Sequence, residues 1–312
     1  MQENKKALVL LNMGGARNKD ELKMFLTNMF NDRNILTVKS DLIRKMIAYF
    51  IVSRRLDSAW ENYKFIGNAS PINPLTEKLV EKCNEKIEDY KVYQAMRYTP
   101  PFAKDVIEEI IKDGITNILL LPLYPQFSTT TTKSSVQDFI DYTPYSCKLE
   151  YIEEFYKNRK FNDCIINEII SNVEDASEYN LIFSAHGLPQ KIVDKGDPYE
   201  EQMNEHVEIL KNMLETKGIN FKSINLAYQS KVGPLKWLEP SLEDMLKNFK
   251  EQKVIIYPIA FIVDNSETDF ELDIEYREVA HDLGVKEYKV CRCVNDSDDF
   301  IEAIKDIIKG HK

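Results

Sequence analysis

Eight short apolar runs, each separated from the next by a longer stretch of helical spacing, constrain this chain more than any other feature of it. They fall at residues 7–11, 91–96, 118–123, 149–152, 181–185, 223–227, 254–259 and 287–291. Runs such as Ile118-Leu119-Leu120-Leu121 and Val254-Ile255-Ile256-Tyr257 lack polar alternation. Strands that read this way are buried on both faces, and strands that alternate with helices build parallel sheets. Eight strands over 312 residues suit two lobes better than one wide sheet. The expected fold is therefore α/β, with two similar Rossmann-like lobes, each a four-stranded parallel sheet flanked by helices. The expected division is residues 1–155, carrying an apolar lip, and residues 156–312, with the last helix packing back on the first lobe. The halves echo each other: Leu8 to Gly15 and Leu181 to Gly187 both run from an apolar strand into glycine.

In open α/β sheets ligands sit at the carboxyl ends of the strands. Those ends carry Asn12-Met13-Gly14-Gly15, Arg97-Tyr98, Tyr124-Pro125-Gln126, Ser184-Ala185-His186-Gly187, Tyr228-Gln229-Ser230 and the segment from Phe261 to Glu267. One polar, aromatic rim is expected, with a cleft between the lobes. The net charge of −10 argues against nucleic acid, which needs a basic face. No apolar stretch reaches the roughly 18 residues of a membrane span. Residues 1–6 carry no signal-peptide pattern, and the five cysteines are scattered without CxxC spacing. Free thiols and a cytoplasmic setting are expected.

Three segments carry chemistry. His186 follows an apolar strand and precedes glycine, so it is expected at the rim, where an imidazole can take a proton or ligate a metal. His206 lies in a charged helical stretch, and His281 and His311 read as solvated surface. Glu267, Glu271 and Glu275 recur every fourth residue of an expected helix, stacking three carboxylates on one face. Like charges so spaced cost stability and are suited to attracting cations or passing protons, or they form a solvated acidic face in a chain of net charge −10. Residues 41–55, DLIRKMIAYFIVSRR, form a basic, apolar helix suited to a membrane surface or a flat apolar ligand, or a buried helix with charged ends. Two further segments have bland alternatives. Gly14-Gly15 either lets backbone approach a ligand or makes a tight turn, and it lacks the third glycine of a dinucleotide fingerprint. The hydroxyl-rich loop from Tyr124 to Ser135 either receives an anion or caps a helix.

Seven segments in order resemble ferrochelatases along nearly the whole chain. They are LLNMGG at 10–15, YKFIGNASP at 63–71, AMRY at 95–98, LPLYPQFS at 121–128, SAHGLP at 184–189 with KGDPY at 195–199, YQSKVGPLKWLEP at 228–240 and ETDFELDIEY at 267–276. The resemblance implies a chelatase-like fold and insertion of ferrous iron into protoporphyrin IX to give protoheme. It implies catalytic and metal-binding roles for His186 and Glu267, and a proton or metal path through Glu271 and Glu275. It implies porphyrin contacts at Met13, Tyr63, Ser70, Arg97, Tyr98 and Trp237, and peripheral membrane contact through residues 41–55. Iron is then a substrate, and no cofactor is required. Many family members carry a second histidine two residues before the glutamate; here that residue is Asn265, which shifts the expected work toward Glu267. Some members bind a [2Fe–2S] cluster through cysteines of a C-terminal extension. This chain ends at Lys312, and Cys164 with Cys291-Arg292-Cys293 reproduces no known ligand spacing. A cluster is not expected. The alternatives are a coproporphyrin III ferrochelatase, a sirohydrochlorin or cobalt chelatase, and a non-catalytic tetrapyrrole carrier. A dinucleotide enzyme has only Gly14-Gly15 in its favour.

Overall fold

The computed structural model describes residues 6–231, 233 and 235–311. The leader reading of residues 1–5 lies outside the described residues, as do Val232 and Pro234 of the 228–240 segment. The chain divides into two compact units, one of Met1–Tyr124 with Ser128–Glu153, the other of Pro125–Phe127 with Glu154–Lys312.

The first unit runs β1 (Lys6–Asn12), α1 (Lys19–Asn31), α2 (Asp41–Phe65), α3 (Ile72–Lys86), β2 (Tyr90–Met96), α4 (Ala103–Lys112), β3 (Asn117–Pro122), α5 (Thr132–Tyr142) and β4 (Lys148–Tyr151). Its four strands are parallel in the order β2-β1-β3-β4. Central strand β1 is buried on both faces, which is why it reads as an unbroken apolar run. Ala7, Val9 and Leu11 pack on one face against Val106, Ile107 and Ile110 of α4 and Phe139 of α5.

The second unit runs α6 (Arg159–Ser171), β5 (Tyr179–His186), the short α7 (Gln190–Val193), α8 (Tyr199–Thr216), β6 (Ser223–Gln229), α9 (Leu242–Leu246) and β7 (Lys253–Pro258). A π-helix (Glu267–Glu275), α10 (Tyr276–Asp282), β8 (Glu287–Val290) and α11 (Asp298–Gly310) complete it. The sheet order is β6-β5-β7-β8, again all parallel, so the two sheets share one topology. Helix α11 packs on α6 within this unit. All eight expected strands are present, with ends moved by a residue or two. The largest consequence is at β5: the ladder continues to a His186–Gln229 pair, so His186 ends the strand instead of following it.

In each sheet one neighbour of the first strand precedes the other in sequence and lies on its opposite side. This reversal splits the loops apart at the carboxyl ends and opens a crevice. In the second unit the reversal lies at β5, with β6 and β7 on its two sides. Those three strands deliver His186, Gln229 and, after a short loop, Glu267.

Helix α2 forms as its pattern implies, with Ser40 as N-cap accepting from the Ile43 N–H. One of its basic residues departs from a surface role. Arg44 is buried, donating to the carbonyls of Asn31 and Val38 and to Asp41, so it ties α1 to α2. Among the described residues no helix is long and apolar enough to cross a membrane.

Candidate active site

Two residues 81 apart in sequence meet at the end of β5. His186 Nδ1 lies 2.8 Å from Glu267 Oε2. With Nδ1 donating to the carboxylate, Nε2 is the ring nitrogen left for a ligand. The His186 backbone is pinned as well: the Tyr199 hydroxyl donates to its carbonyl at 2.9 Å. The next residue must be glycine, because a Cβ at Gly187 would stand 2.8 Å from the Gln229 carbonyl oxygen and 3.4 Å from the Trp237 ring. The Trp237 ring thus packs against Gly187, and an antiparallel bridge pairs Trp237 with Pro189.

Glu267 begins the π-helix. The acidic ladder was expected on a helix, and the structure makes that helix π over nine residues, a rare form that occurs mostly as single-turn bulges near functional sites. In its wider turn, residues four apart stay close to one line. Thr268 and Leu272 form the adjacent row and are buried. Burial of Leu272 contributes about 2 kcal/mol toward holding the helix on the sheet. The Tyr288 hydroxyl also donates to the Leu272 carbonyl at 2.9 Å. The ladder descends from Glu267 through Glu271 to Glu275, which is exposed.

Ser230 links the first two rungs. Its hydroxyl lies 2.5 Å from Glu271 Oε2 and 3.4 Å from Glu267 Oε2, and its backbone N–H donates to Glu271 Oε1 at 2.7 Å. Both reaches require a bent backbone, and Ser230 adopts a φ of +65°, a left-handed conformation costly for serine. One hydroxyl carries one proton. When Glu271 is protonated it can donate to Ser230, and Ser230 to Glu267. Gln229 supports the arrangement, accepting from the Ser184 hydroxyl at 2.8 Å and pointing its amide toward Glu271 at 3.4 Å.

Charge follows geometry. Burial pulls the His186 imidazole down, but the Glu267 carboxylate and then Glu271 push it up further, to about 9. The imidazole is 38% exposed, so water screens the pair and the direction of the shift matters more than its size. Glu271 is raised to about 7, first by burial and then by repulsion from Glu267, against the opposing bond from Ser230. The neighbouring Glu267 and Glu271 carboxyls therefore favour proton binding at His186, while burial and the Glu267 charge favour proton binding at Glu271.

The first unit holds the other expected site residues. Met13 follows β1 and is half-buried, its carbonyl accepting from the Tyr98 N–H at 3.0 Å. Ser70 is buried beneath Gly15, where a Cβ would stand 2.6 Å from the Ser70 hydroxyl, and a Cβ on Gly14 would stand 2.2 Å from Thr99 Oγ1. Gly14-Gly15 is therefore a packed turn, with Gly14 at φ +82°. Asn73, buried, clamps it by donating to the Gly15 carbonyl and accepting from the Gly15 N–H. Tyr63 is buried and stacked on Trp60 in the α1–α2 core. Arg97 and Tyr98 join a buried cluster around Asp32: Tyr98 donates to it at 3.0 Å and Arg97 at 3.2 Å, while Arg97 also reaches Asp138 and Ser134. The hydroxyl-rich loop leads into α5 without a side-chain cap at Thr131; Thr130 N–H donates to Ser128 Oγ within the loop, and Lys133 N–H of α5 donates to the Ser128 carbonyl.

The profile of the family described as ferrochelatase matches residues 5–312. The chain belongs to the ferrochelatase family. It is 53% identical over 309 residues to the ferrochelatase of Sulfurimonas denitrificans, covering 97% of this chain and 98% of the relative. It is 50% identical over 307 residues to the ferrochelatase of Nitratiruptor sp., with the same coverage of 97% and 98%. Among solved structures, SirB from Bacillus subtilis shares the fold at a TM-score of 0.59 and 11% identity, over 98% of this chain and 94% of that one.

Within this ferrochelatase-family chain, the second unit brings together His186, Glu267 and Glu271, with Glu275 exposed further along the ladder and Trp237 against Gly187. Sequence reading passed over Ser230, Gln229 and Tyr199 as individual site residues. Their signal was present, since each lies in a quoted motif, but a motif does not say which side chain turns inward. His206, expected in a charged helical stretch, does lie on helix α8, and it is fully buried there, with Nδ1 2.7 Å from the Gln126 amide nitrogen and Nε2 2.8 Å from Asn162 Oδ1. Burial likewise pushes the Cys164 thiol up to about 12 and raises those of Cys291 and Cys293, which favours neutral S–H groups. Among the described residues no three His, Cys, Asp or Glu side chains are grouped to hold a metal ion.

Proposed function

We propose that this enzyme inserts ferrous iron into protoporphyrin IX, with His186 and Glu267 as the groups that meet the metal and the pyrrole protons. The single observation carrying this reading is the His186–Glu267 pair with Glu271 behind it, linked by Ser230. Insertion replaces two pyrrole N–H protons by one Fe2+, so two protons must leave the macrocycle for each iron that enters. A carboxylate paired to an imidazole can accept a proton. A second carboxyl raised to about 7 can take it on and release it through exposed Glu275 at neutral pH. Two protein ligands hold a divalent ion loosely, whereas structural metal sites use four; loose binding suits an ion that is to be handed over. Trp237 beside Gly187 offers an aromatic wall to a flat macrocycle. Met13, Tyr63, Ser70, Arg97 and Tyr98 enter this reading as porphyrin-side residues through the family resemblance. The packing of Ser70, Tyr63 and Tyr98 favours support of the surrounding backbone over direct contact.

The test is iron insertion assayed with protoporphyrin IX and coproporphyrin III side by side, following loss of porphyrin fluorescence. Turnover with protoporphyrin at least tenfold faster is the expected result. A preference for coproporphyrin reverses the substrate assignment, and binding of both without turnover identifies a carrier.

Ser230→Ala removes the hydroxyl between the two carboxylates and leaves both in place. We expect kcat to fall about tenfold, with the porphyrin KM little changed. An unchanged kcat removes Ser230 from the proton route.

We also propose peripheral membrane contact through α2. Leu42, Met46, Tyr49 and Phe50 recur at helical spacing and are more than half exposed, flanked by exposed Lys45, Arg54 and Arg55. Such a face suits the boundary of an anionic bilayer. Cosedimentation with phosphatidylglycerol vesicles should be lost in Tyr49→Glu/Phe50→Glu; retention by that variant rejects the contact.

A further inference from the structure

Asn265 occupies the place where the family resemblance leads one to expect a second histidine, two residues before Glu267. Its surroundings assign it a different task. The side chain is only 3% exposed. Its amide oxygen accepts from the Glu267 backbone N–H at 2.8 Å, and its amide nitrogen donates to the Val263 carbonyl at 3.1 Å. Its own N–H donates to Thr268 Oγ1 at 2.9 Å, and its carbonyl accepts from the Asp269 N–H at 3.0 Å. Every polar atom of Asn265 is thus engaged in the turn that starts the π-helix. The first N–H groups of a helix have no partner within it, and asparagine is among the best side chains to supply one.

The preceding residue anchors the same turn from the other side. Asp264 is 1% exposed and accepts from the Cys293 N–H at 2.9 Å, the Asn295 amide at 2.7 Å and the Arg292 Nε at 2.6 Å. A turn held from both sides sets the direction in which the next side chain leaves the backbone. That side chain is Glu267, whose Oε2 must reach both His186 and Ser230.

We propose that Asn265 is a positioning residue for metal insertion: its side chain closes the turn that aims the Glu267 carboxylate at His186, and it does not stand in for a second base. This rests on the reading of His186 and Glu267 given above. Misplacement of a reacting group by about 1 Å can cost on the order of 100-fold in rate.

The experiment compares full-length wild type with Asn265→Ala, Asn265→Ser and Asn265→Asp. Two readouts are taken: steady-state iron insertion, and hydrogen exchange at the Glu267 amide. In Asn265→Ala the expected kcat falls at least about tenfold with porphyrin KM within about twofold, and Glu267 amide exchange speeds up at least tenfold. Serine and aspartate keep an oxygen acceptor at that position and should restore kcat to within about threefold, with slow exchange. If alanine fails to fold, Asn265→Cys replaces it, since a thiol is close to serine in size and a poor acceptor. Unchanged kcat in the acceptor-less variant overturns the proposal, as does equal impairment in all variants. A wild type that inserts no iron overturns the functional reading instead, and the exchange measurement still decides the role of Asn265.

Discussion

Glu267→Gln should lower kcat for iron insertion by at least about 100-fold while leaving porphyrin KM within a few-fold, the span expected for loss of a proton-transferring group. Glutamine has the size of glutamate, and its amide oxygen can still accept from His186 Nδ1–H. What it lacks is charge and the capacity to take a proton. The loss reaches His186 as well. With the Glu267 charge gone, burial dominates and the imidazole titrates well below its present value of about 9. The sign of the stability effect follows. A histidine raised in the folded state contributes stability that is complete below the unfolded value near 6.5 and disappears as pH rises through about 9. Glu267→Gln should therefore flatten stability between pH 6.5 and 9 in a thermal-shift series. The residue two before Glu267 sharpens the expectation, since Asn265 is committed to its own turn and an amide cannot take the proton in place of the carboxylate. Near-wild-type turnover by Glu267→Gln would remove Glu267 from the chemistry.

The second large effect concerns His206 and stability. Burial holds its imidazole down to about 3, so it stays neutral in the folded protein. Gln126 donates to Nδ1, so Nε2 carries the proton and donates to Asn162. In the unfolded chain the same group binds a proton below about 6.5. A folded value below the unfolded one means the contribution is present above pH 6.5 and is lost as pH falls toward 3. Between pH 6.5 and 5 one such group costs about 2 kcal/mol. Replacing it by leucine removes this slope and orphans the Gln126 and Asn162 amides, each at about 1–3 kcal/mol. The expected outcome for His206→Leu is a lower Tm at pH 7.5 and a shallower fall in Tm from pH 6.5 to 5 than in wild type. An equal slope in both proteins shows that His206 is not the acid-sensitive group.

These two histidines show where sequence reading succeeded and where it did not. His186 was legible because the strand before it is apolar and the residue after it is glycine, a local pattern that places it at a rim. The charged residues around His206 place it on a helix but do not show that its side chain turns inward. What buries it comes from Gln126 and Asn162, 80 and 44 residues away. Ser230 differs again: its segment was recognised, yet its role depends on a left-handed backbone that a serine does not advertise. The spacing of the acidic residues is legible in the chain, whereas the π form of their helix is not; Leu272 is buried there, and its carbonyl accepts from the Tyr288 hydroxyl.

The sequence by itself determined the class of fold, the eight strands, the rim histidine and the spacing of the ladder. These are matters of run length and period along the chain, which local sterics and the hydrophobic effect translate directly into strands, helices and a buried face. Only the tertiary structure decided that Glu267 meets His186 across 81 residues, that Ser230 joins two carboxylates and that Gly14-Gly15 is a packed turn. It also decided that Arg44 and His206 lie inside. Each of these depends on which distant backbone comes within hydrogen-bond reach, and on the desolvation that follows. The order of strands in the sheet controls both, and no period in the sequence encodes it.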